Sequence, residues 1–173
     1  MKKSNLLCLI LMLILLLAGC TKGVDSPAVP PAPEASRAPA ALPGELVSLS
    51  FSETNSWYSR VQGYEFSAEG GVYTAGIWLA DDNEKPYLVP VDKAWAEKLE
   101  DILARYDTLQ WDGFHGNDKT LLDGTSFGIM YTLSDGTSVT AGGYGKFPKG
   151  YGGAAAEIDE MFLQLLPEEL RDW

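Results

Sequence analysis

The chain is poor in the residues that carry most nucleophilic and metal chemistry, with two cysteines and one histidine in 173 residues. Both cysteines, Cys8 and Cys20, stand in the first 20 positions, so the region that can fold has no thiol. Disulfides, thiolate nucleophiles and cysteine-ligated zinc are therefore excluded from that region. Positive charge is also scarce: 13 Lys+Arg stand against 24 Asp+Glu, for a formal charge of −11 and a pI near 4.4. Nucleic-acid binding rests on clustered Lys and Arg that neutralise phosphates, and no such cluster exists, so nucleic acid is excluded as a partner. Long apolar runs are absent but for one of 13 residues, 6–18, and a helix needs about 20 to span a bilayer. Aromatics are missing from the first 50 residues, and all 5 Trp, 8 Tyr and 6 Phe lie from Phe51 onward. The hydrophobic core is thus expected beyond residue 44, as one domain.

The basic start Met1-Lys2-Lys3, the apolar run and the ending Leu17-Ala18-Gly19-Cys20 follow one another in the order of a signal peptide. The ending resembles the lipobox of bacterial lipoproteins. That resemblance implies a diacylglyceryl group on the Cys20 sulfur, cleavage just before Cys20, and a mature chain lipid-anchored at the extracytoplasmic face of the cell membrane. The bilayer is then a partner through that anchor, since two or more acyl chains hold a protein stably where one does not. Residues 21–44 contain six Pro and six Ala and read as a stiff linker of polyproline character. The expected organisation is a signal peptide at 1–19, lipidated Cys20 and linker at 20–44, and one globular domain at 45–173.

Within that domain Val47, Leu49 and Phe51 alternate with serines, as in a half-buried strand. Tyr64 and Phe66 suggest a second strand, and Tyr73, Ala75, Ile77 and Leu79 a third that returns after Glu69-Gly70-Gly71. A short Tyr87-Leu88-Val89 stretch leads to Asp92, a plausible N-cap. Trp95, Leu99, Ile102, Leu103 and Tyr106 then form one face of a helix. Phe127, Ile129, Tyr131 and Leu133 turn through Ser134-Asp135-Gly136 into Val139 and Ala141. A final helix carries Ile158, Met161, Phe162, Leu165 and Leu166 and stops at Pro167. The expected fold is α+β, an antiparallel sheet of about five strands in the order βββαββα, with two helices packed on one face.

Few patterns carry chemistry. Gly124-Thr125-Ser126-Phe127-Gly128 matches a nucleophile elbow, but a loop precedes the serine and a strand follows it, the reverse of what an elbow needs. His115 could act as a general base oriented by Asp112 or Asp118, and a lone loop histidine also reads as a solvated one. Asp81-Asp82-Asn83-Glu84 fails as an EF-hand loop, with Lys85 at position 5 and Pro86 where glycine belongs; no metal or cofactor is implied. The glycine-rich segment 142–150 interleaves Tyr144, Phe147 and, just beyond it, Tyr151 with Lys146 and Lys149. With Trp111, Phe114 and His115 these make a candidate ligand-binding loop set. The alternative is that the rings pack back over the hairpin.

Trp111-Asp112-Gly113-Phe114, Leu122-Asp123-Gly124-Thr125-Ser126-Phe127, Ser134-Asp135-Gly136, Ala141-Gly142-Gly143 and Phe147-Pro148-Lys149-Gly150-Tyr151 are similar, in that order, to segments of uncharacterised lipoproteins of Gram-positive bacteria. The resemblance spans about residues 95–165 and implies location and fold, with no catalytic residues to carry over. It places the anchor on the outer leaflet of a Gram-positive membrane; in a two-membrane cell, Thr21 after the lipidated cysteine would permit export to the outer membrane. The function expected is a non-catalytic binding or accessory module that meets an envelope protein, glycan or peptide. A small-ligand or cation sensor and a cell-wall-directed hydrolase are the alternatives.

Overall fold

The structure, a computed structural model, describes residues 41–54, 61–80 and 85–171. The lipobox, Cys20, the linker up to residue 40 and the acidic run Asp81–Glu84 lie outside the described residues. No helix among the described residues is long and apolar enough to cross a membrane.

Among the described residues seven strands form one sheet: β1 (Leu46–Thr54), β2 (Val61–Glu69), β3 (Val72–Leu79), β4 (Tyr87–Val91), β5 (His115–Asn117), β6 (Ser126–Leu133) and β7 (Ser138–Tyr144). They lie in the order β4-β3-β2-β1-β6-β7-β5. All pairs are antiparallel except β5 with β7, which is parallel, so the sheet is mixed. The helices are α1 (Lys93–Arg105), α2 (Tyr151–Leu163) and the short α3 (Glu168–Arg171), with a 3-10 turn at Thr108–Trp111.

The expectation of about five antiparallel strands and two helices is thus corrected to seven strands in a mixed sheet and three helices. The two strands that were missed are its edges. β4 holds Pro90 and exposes Tyr87 and Leu88, and a proline is tolerated there because an edge strand has one unpaired side. β5 is His-Gly-Asn, too short and too polar for an apolar pattern, and it pairs by backbone alone, His115 opposite Gly142. A second correction concerns β1. Its register shifts between Leu46 and Ser48, so the extra residue Val47 turns outward and Leu46 joins Leu49 and Phe51 inside.

Tyr64 and Phe66 of β2, Ala75 and Ile77 of β3, and Phe127, Ile129, Tyr131 and Leu133 of β6 point into the core. The Phe162 ring of α2 lies 4.7 Å from the Tyr64 ring and meets Trp95 of α1 edge-on at 5.0 Å, which packs the two long helices together over that face. Asp92 caps α1 by accepting from the Trp95 backbone N–H at 2.8 Å. Thr108 is fully buried; its hydroxyl donates to the Leu103 carbonyl and therefore accepts from Tyr131, 2.9 Å away. The opposite face of the sheet turns Ser50, Ser67, Met130 and Thr140 to solvent.

Candidate functional site

A cleft of about 450 Å³ opens where β1 ends, β2 begins and the first turns of α2 pass over them. Phe51 and Tyr64 form its floor, with parallel rings 6.3 Å apart. The α2 wall is small: Gly152, Ala155 and Ala156 fall on one helical stripe, and Asp159 continues it. On the strand side Gly63 is required by space, because a Cβ there would stand 2.7 Å from the Phe51 carbonyl oxygen. The register of β2 against β3 shifts between Val61 and Gly63, and this bulge holds Val61 and Gln62 at the rim.

Two tyrosine–carboxylate pairs lace strand to helix across the cleft. The Tyr151 hydroxyl of α2 donates to Glu53 Oε2 of β1 at 2.5 Å. The Tyr64 hydroxyl of β2 donates to Asp159 Oδ1 of α2. Burial pushes both phenols far up, and the hydrogen-bonded carboxylate adds to this in each. Glu53 also acts on Tyr64, so the two pairs sense one another. At neutral pH the hydroxyls stay protonated and keep donating, which fixes both carboxylates. Among the described residues neither Glu53 nor Asp159 has an ion pair, and no Lys or Arg lines the cleft.

The loop set anticipated from sequence comes together only in part. Trp111 is buried and its Nε1 donates to the Lys149 carbonyl at 3.1 Å. Phe147 stacks on Tyr151 at 4.6 Å, Phe127 lies 4.5 Å from Tyr151, and Phe114 lies 6.2 Å from Phe127. Tyr144 donates to the Leu122 carbonyl at 3.1 Å. His115 and Lys146 are exposed, and His115 sits on the edge strand β5. Asp112 and Asp118, the two carboxylates that could have oriented it, accept instead from the Thr140 backbone and from Thr120. Ser126 opens β6, paired with Thr54 and Tyr144. Of the whole set Tyr151 alone reaches the cleft.

Phe51, Glu53, Gln62, Tyr64 and Asp159 were not singled out from sequence as site residues, although one of them carried a signal. Glu53 has the same strand phase as Leu49 and Phe51, which puts a carboxylate on a core-facing position. A charge in phase with a core needs a partner. Asp159 carried no signal: it is exposed on α2 in the run Glu157-Ile158-Asp159-Glu160 and reads as a solvated charge. No group of three or more His, Cys, Asp or Glu side chains that could hold a metal ion exists among the described residues. No family model, curated protein or solved structure matches the chain.

Proposed function

We propose that the protein is a non-catalytic binding module of the bacterial cell envelope, tethered at the extracytoplasmic face through lipid on Cys20, that receives its ligand in the cleft between Glu53 and Asp159. The carrying observation is the double tyrosine–carboxylate lacing, which presents two oriented polar groups in an otherwise small-walled aromatic cleft. A site made by regular elements is held more firmly than one made by loops, and here all four groups sit on β1, β2 and α2. The tether reading rests on the lipobox and the proline-rich linker of the sequence. It agrees with the domain's own layout: the chain enters β1 at Leu46, about 23 Å from Glu53 at 3.3 Å per residue, so the cleft lies at the far end of that strand from the entering chain.

Two measurements test this in intact cells of the source. Labelling with a palmitate analogue should mark the wild-type chain and leave Cys20→Ala unmarked. A photo-crosslinking residue at Gln62, on the rim, should give an adduct that disappears in Glu53→Gln/Asp159→Asn, while the same probe at the distant, exposed Leu122 should not give it. Equal adducts from both positions, or none from Gln62, would remove the cleft from the function.

A further inference from the structure

We infer that the ligand of this cleft is an organic cation, a primary ammonium or guanidinium on a flexible apolar stem, seated between the Glu53 and Asp159 carboxylates. The inference rests on the reading that the cleft binds a ligand. It follows first from a count of donors and acceptors. A carboxylate only accepts, and each of these two receives one tyrosine proton, leaving Glu53 Oε1 and Asp159 Oδ2 without a bond from any described residue. The tyrosine protons are spent on those bonds, so the two pairs turn acceptor capacity, and no spare hydroxyl donor, toward the space between them.

Charge points the same way. Like charges on one lining repel one another; Glu53 is half-buried and Asp159 exposed, and the described lining holds no cation to offset them. A bound cation would relieve that cost, whereas an anion would add to it. Phe51, Tyr64 and Tyr151 are buried beneath the cleft and give its floor an aromatic lining. The walls of Gly63, Gly152, Ala155 and Ala156 leave a channel suited to a carbon chain. A divalent metal fits poorly, because calcium takes six to eight oxygen ligands and this cleft offers two carboxylates already oriented by tyrosines. The whole chain's formal charge of −11 would also draw cations toward it.

The test is calorimetric titration of the purified full chain with cadaverine, and with an N-acetylated, C-amidated Gly-Lys-Gly peptide. Its acetyl-lysine counterpart and calcium chloride serve as controls. Both ammonium probes should bind, and raising the salt from 20 mM to 500 mM should weaken them. The acetyl-lysine peptide and calcium should give no heat. Glu53→Gln/Asp159→Asn keeps an acceptor for each tyrosine and should weaken binding by at least about tenfold, the scale of one lost charge-assisted hydrogen bond. Ala156→Phe, on the exposed side of the α2 stripe, should block binding by filling the cleft while leaving the carboxylates in place. A stronger response to the peptide than to cadaverine would assign the cation to a polypeptide side chain, and the reverse to a free amine. Equal binding of the acetylated peptide, or full affinity in the double amide variant, would overturn the inference. A Gln62 adduct in cells that needs Glu53 and Asp159 but is not displaced by cadaverine would defeat the cation and spare the cleft.

Discussion

Two aromatic regions of the described fold do opposite things with their rings. Around β5 and β7, Phe114, Phe127 and Phe147 pack on each other, Trp111 packs on Tyr151, and the Trp111 indole N–H ends on the Lys149 carbonyl. That region is closed: its rings are packed and its glycines let backbone come close, while His115 and Lys146 face solvent. At the β1–β2 end, Phe51, Tyr64 and Tyr151 lie beside carboxylates, and small residues on α2 leave the space above them open. Aromatic and glycine content is similar in kind, so composition does not distinguish a packed loop from a site. What distinguishes them is unused hydrogen-bonding capacity next to empty volume. Tyr151 belongs to both, with its ring in the packed cluster and its hydroxyl in the cleft.

That contrast can be broken most severely at Trp111. Trp111→Ala should cost about 3–5 kcal/mol, as for a large core aromatic, read as a drop in the urea midpoint at unchanged slope. Cadaverine affinity of the folded fraction should not move. A loss under about 1 kcal/mol would mean that the packed cluster is not core. Tyr151→Phe separates the two roles of that residue: the ring stack stays, the donor to Glu53 goes, and about 1.5–3 kcal/mol of a charged hydrogen bond is at stake. The same change should weaken cation binding by letting Glu53 swing. Tyr151→Phe with unaltered stability and affinity would dissolve the link between the regions.

Alkaline pH should act on the buried tyrosines of the core and of the cleft, with one sign. Burial pushes the Tyr131 phenol up to about 12, whereas an unfolded tyrosine titrates near 10. Its folded value is the higher, so its contribution to stability is full below pH 10 and is lost as pH rises from 10 through 12. Tyr64 and Tyr151, raised further, erode over the same rising limb. Each such group adds up to about 1.4 kcal/mol per pH unit to the slope. Stability measured between pH 10 and 12 should therefore fall less steeply in Tyr131→Phe, and less steeply again in Tyr64→Phe/Tyr151→Phe. Identical slopes in all three proteins would contradict the buried, protonated phenols.

The sequence was legible where a pattern was long. The alternation of Phe127 to Leu133 and the helical spacing of Trp95 to Tyr106 place β6 and α1 without further help. Legibility ended where backbone geometry decided. One inserted residue at Val47 reversed the phase of the start of β1, and β5 exists only because Gly142 and Gly143 of β7 present bare backbone to His115 and Gly116. The cleft was hidden for a different reason. Glu53 and Tyr151 are 98 positions apart, and Tyr64 and Asp159 are 95 apart, so neither pair has a local spacing to read. Glu53 in phase with Phe51 was the visible trace, a carboxylate on a core face that had to meet a partner somewhere.

The smallest effect should come from the most conspicuous apolar side chain. Leu122 is 95% exposed, in the loop before β6, and a sequence argument would count it toward a sticky surface. Its neighbour Leu121 is 41% exposed but touches the loop, its Cδ1 lying 2.3 Å from where a Cβ on Gly145 would stand. Leu122 offers the fold only its carbonyl, which accepts from Tyr144, and a side-chain substitution leaves that bond intact. A scattered exposed leucine is ordinary on a folded protein surface. Leu122→Ser should then change stability by less than about 0.5 kcal/mol and leave cation affinity unaltered, whereas Leu121→Ser should cost measurably more by unpacking the loop against Gly145. If Leu122→Ser instead lowered binding or abolished a cellular crosslink, the closed aromatic region would have a partner of its own, and the division between a packed end and a binding end would have to be given up.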